Sequence, residues 1–88
     1  MPPFSYTNIS AGATTVVKSG AGVLHSITVN TTAAGAITVY DNTAASGTKI
    51  ATIAASPVIG STFIYDVSFG TGLTIVTAAA SDITVSYK

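Results

Sequence analysis

His25 is the single histidine of the 88-residue sequence, and its imidazole is the side chain best suited to exchange protons near neutral pH. A nucleophilic triad would require a serine beside it and a carboxylate behind it. No serine lies in a G-x-S-x-G turn, the strained elbow that exposes such a nucleophile. Alternation along the chain puts His25 on the same face as Val23 and Ile27, so we interpret it as a buried, hydrogen-bonded structural histidine.

The three acidic residues, Asp41, Asp66 and Asp82, are 25 and 16 residues apart. Each lies at a strand edge or a turn, where an aspartate side chain commonly accepts hydrogen bonds from backbone N–H groups. Hard cations require six to eight oxygen ligands, usually from several carboxylates close in sequence. Asp41 and Asp82 are the better pair for a shared metal because both lie at strand ends, but backbone capping is the favoured interpretation. We therefore predict no metal and no cofactor.

The composition removes most other chemistries. Charged residues make up 7% of the chain, and Glu, Arg, Gln, Trp and Cys are absent. Paired acids, thiolate nucleophiles and arginine clamps for phosphate therefore lack their residues, and we predict that the protein is not an enzyme. A net charge of zero gives no field to attract nucleic acid or anionic lipid, so neither nucleic acid nor a membrane is a predicted partner.

A surface this poor in charge is unusual for a free monomer, because charge normally keeps monomers soluble. We interpret the chain as a subunit of a larger assembly, with a homo-oligomer, dimer or trimer, expected. The alternative is a small Thr-rich and Ser-rich domain of a longer secreted or surface protein.

The elements that must position these residues are β-strands, because apolar residues recur every second position rather than with helical spacing. Alternation is clearest around residues 23–29, 63–69 and 83–87, and Leu73 and Ile75 continue it after the turn at residues 70–72. Ile37 and Val39 follow a turn signal at residues 32–35 and predict a hairpin with the preceding strand. Residues 14–18 and 49–54 are weaker strand candidates, rich in Thr, Val and Ile.

Seven strands, or eight if residues 4–9 pair, separated by turns every 8 to 12 residues, predict an all-β antiparallel sandwich. Spacing does not separate a jelly-roll from an immunoglobulin-like topology. Residues 11–88 are expected to form this single sandwich domain. Residues 1–10 are expected to form an extended N-terminal arm, because Pro2 and Pro3 disfavour regular pairing.

Large apolar residues that fall outside the inward phase indicate a contact surface. If the odd-numbered strand residues fill the core, the large apolar residues at even-numbered positions point outward and mark a protein interface. The alternative is that bulges turn some of these residues inward. The arm adds aromatic and aliphatic anchors for a partner. The predicted interface residues are Phe4, Tyr6 and Ile9 in the arm, and Leu24, Tyr40, Ile50, Ile64 and Val76 in the sandwich.

The order of turn glycines and strand residues from residue 12 to residue 88 resembles a group of small virion proteins of tailed bacteriophages. The segments that carry the resemblance are Gly22-x-Leu24-x-x-Ile27-x-Val29, Gly35-x-Ile37-x-Val39-Tyr40-Asp41, Gly47-x-x-Ile50, Phe69-x-x-Gly72-Leu73-x-Ile75 and Asp82-Ile83-Thr84-Val85-x-Tyr87. The resemblance implies a compact, non-catalytic β-sandwich that serves as a capsid decoration or cement protein, or as a module of a head or tail fibre.

The resemblance thus implies a location on the capsid surface of the virion and the major capsid protein lattice as the partner. Many equivalent sites on such a lattice would multiply a weak single contact. The alternative is a small carbohydrate-binding or fibre module of a phage tail. Such a module needs exposed aromatic platforms, for which Tyr6, Tyr40 and Tyr87 are the candidates, and the absence of Trp weighs against it.

Overall fold

The computed structural model describes residues 4–88, which form eight β-strands and no helix. The prediction of an all-β protein is confirmed, and the eighth strand is the one near the N-terminus. The strands are β1 (Ser5–Ile9), β2 (Thr14–Ser19), β3 (Gly22–Thr31), β4 (Ile37–Asp41), β5 (Thr48–Ile53), β6 (Thr62–Phe69), β7 (Gly72–Thr77) and β8 (Asp82–Tyr87).

The strands form two antiparallel four-stranded sheets that pack face to face. Sheet A has the order β1-β8-β3-β6, and sheet B has the order β2-β7-β4-β5. Consecutive strands alternate between the sheets except at β4 and β5, which form a hairpin within sheet B. This order is that of a jelly roll, one of the two topologies that strand spacing left open.

The predicted hairpin between β3 and β4 is wrong. β3 pairs with β6 and β8, whereas β4 pairs with β5 and β7, so the two strands lie in different sheets. Residues 32–36 therefore carry the chain across the sandwich. Gly35 in this crossing is buried, and a backbone without a side chain lets it pass close to Ala79.

The core lies between the sheets and draws on every strand except β2. Val17 of β2 packs against it from a half-buried position. Its buried members are aliphatic apart from one phenylalanine, which suits the flat, interdigitating inner faces of a sandwich. They are Ile9, Leu24, Ile27, Val29, Ile37, Val39, Ile53, Phe69, Leu73, Ile75, Ile83 and Val85.

A register shift near the start of β3 changes which of its first residues point into the core, compared with the prediction. The pairing with both neighbours shifts between Leu24 and Ser26. His25 is an extra residue relative to β8, whereas relative to β6 the extra residue lies on β6. Because a bulge exchanges the faces of a strand, Leu24 points inward and is fully buried, while Ile27 and Val29 remain inward as predicted. The prediction of Leu24 as an outward interface residue is wrong for this reason.

The predicted arm is, over Ser5–Ile9, an edge strand of the sandwich. β1 pairs with β8 in unbroken antiparallel register from Ser5 opposite Tyr87 to Ile9 opposite Ile83. Ile9 is buried in the core, so it is a packing residue rather than a partner anchor. Met1, Pro2 and Pro3, the remainder of the arm before Phe4, lie outside the described residues.

Candidate functional site

The sandwich opens into a cleft between β5 and β6. These strands follow one another in sequence but form edges of different sheets, so residues 54–61 must span both edges. The cleft has a volume of about 430 Å³. It is lined by Thr52, Ile53, Ala54, Ala55, Ser56, Pro57, Val58, Ser61, Phe63 and Tyr65.

The loop of residues 54–61 is anchored at both ends by backbone hydrogen bonds. The N–H of Ser56 donates to the carbonyl of Ala33 at 3.2 Å, and the N–H of Gly60 donates to the carbonyl of Val29 at 2.7 Å. Both donors have a positive φ, 55° at Ser56 and 83° at Gly60, which turns the chain sharply at each end. These bonds attach the loop to β3 and to the segment that follows β3, and they place Pro57 and Val58 in the lining of the cleft.

Four large apolar side chains are exposed along this loop and β6. Val58 is 72% exposed, Ile59 60%, Ile64 66% and Val67 36%. We call these four residues the β6 rim. Exposed apolar side chains grouped along one edge of a small protein are typical of a contact surface, because leaving them in water is unfavourable.

The lining of the cleft is mostly apolar and carries a few hydroxyl groups. Burial raises the pKa of Tyr65 above its usual value of 10, so its hydroxyl stays protonated at neutral pH. Tyr65, Ser56 and Ser61 offer hydroxyl groups against otherwise apolar walls, and Tyr65 is the one ionisable residue among the described lining residues. The lining therefore supplies hydrogen bonds and apolar contact without a proton-transfer group that works near neutral pH.

His25 is held by two neighbours on the outer side of sheet A. Its Nδ1 lies 2.5 Å from Oδ1 of Asp66, and its ring stacks on Phe4 with centroids 4.2 Å apart and planes inclined by 5°. The ring is half-exposed, in contrast to the predicted buried position on the face of Val23 and Ile27. The bulge at His25 relative to β8 explains the difference, and the hydrogen bond to Asp66 agrees with a structural role.

Asp41 caps a distant turn. Its carboxylate accepts hydrogen bonds from the N–H groups of Thr71 at 2.9 Å, Gly70 at 3.1 Å and Gly72 at 3.4 Å. These bonds, that from Thr71 most strongly, lower the pKa of Asp41 below its ordinary value of 3.8. The capping expected for the aspartates is thus found here, although the turn lies in a different strand connection rather than beside Asp41.

The other aspartates bind side chains. Asp66 faces His25, and Asp82 accepts hydrogen bonds from Asn8 at 2.6 Å and Asn30 at 3.3 Å. Residues 4–88 contain no group of three His, Cys, Asp or Glu side chains that could hold a metal ion together.

Acidification is expected to destabilise the protein through Asp41. Because the pKa of Asp41 is lower in the folded state, its contribution is complete above the ordinary value of 3.8 and is lost as the pH falls through the lower folded value. Urea denaturation at several pH values should therefore show a loss of stability on the acid side that Asp41→Asn diminishes. An equal loss of unfolding free energy with falling pH in the two proteins would contradict this role.

The eight predicted interface residues do not form one surface. Tyr6 is 73% exposed on β1, and Ile64 is exposed on β6, at the opposite edge of sheet A. Leu24 and Ile9 are core residues. The half-buried members are Phe4, Tyr40, Ile50 and Val76, of which Ile50 packs against the core.

Three members of the β6 rim, Val58, Ile59 and Val67, were not among the predicted residues. Val58 and Ile59 lie in a segment that Pro57 marks as a break between strands, and loops are not expected to present apolar side chains. The available signal was a pair of β-branched residues between Pro57 and Gly60, where no strand could bury them.

Part of the outer face of sheet A, away from Ile64, is polar and carries hydrogen bonds between side chains. Oγ1 of Thr28 lies 3.1 Å from Oγ1 of Thr62, and Asn30 donates to Oγ1 of Thr84 at 3.0 Å. Tyr6 lies on β1 at the border of this face. The face thus combines hydroxyl and amide groups with one exposed aromatic ring.

Comparisons with models of protein families, with curated proteins and with solved structures found no match. The resemblance to tailed-bacteriophage virion proteins therefore stays a prediction from the sequence. Within residues 4–88 there is also no helix long and apolar enough to cross a membrane.

Proposed function

We propose that this chain is a non-enzymatic virion protein that decorates the outer surface of a capsid and stabilises the lattice of the major capsid protein. The observation that carries the proposal is the β6 rim, an exposed apolar edge beside a cleft whose lining has no proton-transfer group for neutral pH. An apolar rim with a few hydroxyl donors suits the binding of a protein surface. The sandwich, the sparse charge and the virion resemblance support the same function.

The size of the docking edge favours a repeated partner. The molecule measures 30 × 28 × 16 Å, so one narrow side covers roughly 500 Å², less than the ~800 Å² per partner of a stable complex. A single contact of this size is weak. A lattice that presents many copies of the same site turns weak contacts into stable attachment, and each bound copy that bridges neighbouring subunits raises the stability of the shell.

The test is co-sedimentation of the purified protein with shells assembled from the major capsid protein of the same genome. Binding should saturate at a fixed number of copies per shell and should raise the temperature at which the shells rupture. Ile59→Ser or Ile64→Ser should weaken binding about tenfold or more, because burying such a side chain contributes about 1.5 to 3 kcal/mol.

Val16→Ser is the matched control, because Val16 is also an exposed aliphatic residue but lies on β2, away from the β6 rim. Its binding should equal that of the unmodified protein. A protein that does not sediment with the shells, or binding that the rim variants leave unchanged, would refute the proposal.

The outer face of sheet A favours a second candidate, a carbohydrate-binding module of a tail or fibre. Hydroxyl and amide groups beside the exposed ring of Tyr6 could bind a sugar by hydrogen bonds and stacking. Glycan-array binding that is lost in Tyr6→Ala and retained in Ile59→Ser would favour this function over capsid decoration.

A further inference from the structure

Each sheet of a sandwich has two edge strands, whose outer N–H and C=O groups are free to pair with another chain. In this protein the edges are β1 and β6 in sheet A and β2 and β5 in sheet B. Natural proteins commonly prevent such pairing with a bulge or with a charged residue on the edge strand. The four edges can therefore be compared for these two forms of protection.

Three of the edges carry both. β2 has a register shift at Val17 and carries Lys18, and β5 has one at Ile50 and carries Lys49. β6 has a bulge where two of its residues lie opposite His25. One of these two is the charged residue Asp66, which has a positive φ of 49°. Half of the six charged residues of the chain are thus placed on edge strands beside a bulge.

β1 alone among the edge strands of the described chain carries neither form of protection. Its register with β8 is unbroken over Ser5–Ile9, and its sequence, Ser-Tyr-Thr-Asn-Ile, has no charged residue and no proline. Tyr6 is also the most exposed large apolar side chain in the described part of the molecule.

The hydrogen-bond pattern of sheet A shows which backbone groups of β1 are free. Val23 and Lys88 exchange both backbone hydrogen bonds, at 2.9 and 2.8 Å, so Lys88 faces β3. Because successive residues of a strand face opposite neighbours, residues 83, 85 and 87 face β1. Their partners, Ser5, Thr7 and Ile9, bond to β8, which leaves the N–H and C=O groups of Tyr6 and Asn8 pointing away from the sheet.

This arrangement is self-complementary. A two-fold axis beside Thr7 brings Tyr6 of each copy opposite Asn8 of the other, and both residues have their free groups on the outer edge. In antiparallel strands such opposed residues exchange both N–H to C=O bonds. No like charges meet, because β1 has none. The same axis makes the interface isologous, the commonest symmetry of protein dimers.

We propose that β1 pairs antiparallel with β1 of a second copy of this chain, joining two A sheets into one continuous eight-stranded sheet. The second copy is the favoured partner because the edge is neutral and matches its own two-fold image in register. Tyr6, 73% exposed in the single chain, lies opposite Asn8 of the second copy in this pairing, and contact with its ring supplies the apolar contribution. The inference does not depend on the capsid proposal.

Light scattering behind a sizing column, from micromolar to millimolar protein, should give a dimer of twice the 8.7 kDa chain mass. Amide hydrogen exchange at Tyr6 and Asn8 should slow as the dimer fraction rises. A monomer over the whole range, a trimer, or a dimer in which these two amides remain unprotected would overturn the proposal.

Tyr6→Lys should raise the dimer dissociation constant at least tenfold, because two lysines then approach across the two-fold axis. Val16→Lys, with the same new charge on the β2 edge, should leave it unchanged. Tyr6→Pro is a second variant, since it removes an N–H that has no bond in the monomer. Dimerisation that survives both Tyr6 variants in folded protein would also overturn the proposal.

Discussion

Leu24→Ala is expected to lower the free energy of unfolding by about 2 to 5 kcal/mol, the range for removing a fully buried leucine side chain from a core. Leu24 has no exposed surface and packs between the sheets from β3, a central strand of sheet A. A domain of this size has a total stability of roughly 4 to 13 kcal/mol. The variant should therefore lose a large part of its stability, measured by urea denaturation followed by circular dichroism.

Ile64→Ala is the matched control for Leu24→Ala. Ile64 is another large aliphatic side chain of sheet A, on β6, and it is 66% exposed. Its truncation should change the free energy of unfolding by less than about 0.5 kcal/mol. Equal losses in the two variants would mean that β3 does not reverse its phase at His25 and that Leu24 lies on the outer face.

Gly35→Ala is expected to have a comparably large effect for a different reason. A Cβ at Gly35 would lie 2.6 Å from the backbone nitrogen of Ala79 and 2.7 Å from its Cβ. Neither atom belongs to a flexible side chain, so the backbone between β3 and β4 must shift. Forcing extra atoms into a packed interior costs about 1 to 3 kcal/mol, and the melting temperature should fall accordingly.

Gly70→Ala provides the control for the close approach. No heavy atom lies within 4 Å of a Cβ at Gly70, and its φ is not in the left-handed region. The N–H that bonds to Asp41 is retained in alanine. A melting temperature close to that of the unmodified protein is expected, and a loss as large as that of Gly35→Ala would show that contact with Ala79 is not the cause.

Strands could be predicted from the sequence because alternation is a local property. A pattern such as Ile83, Val85 and Tyr87 needs only a sheet with one buried face, whatever strand lies beside it. The choice of partner strand is not local. Residues 32–36 have the composition of a hairpin turn, but the same residues also suit a crossing between sheets, and only the packing of Gly35 on Ala79 distinguishes the two.

Bulges are a second feature that could not be predicted from the sequence. A single extra residue at His25 moves Leu24 from the outer face to the core, and nothing in the residue types around it marks the shift. The contact of His25 with Asp66 spans 41 residues and lies at the register shift between β3 and β6. The apolar candidates were therefore predictable as residues of a β-sandwich, while their division between core and surface depended on register.

The place of β8 between β1 and β3 determines when sheet A can be completed during synthesis. β1 and β3 are made early, but the strand that bonds to both, Asp82–Tyr87, is the last of the eight. Closing pairings between such distant segments is slow, because chain entropy is lost before the contacts form. During synthesis β3 can pair with β6 before β8 exists, but β1 has no partner in sheet A until then, and the sheet is completed only after β8 has been made.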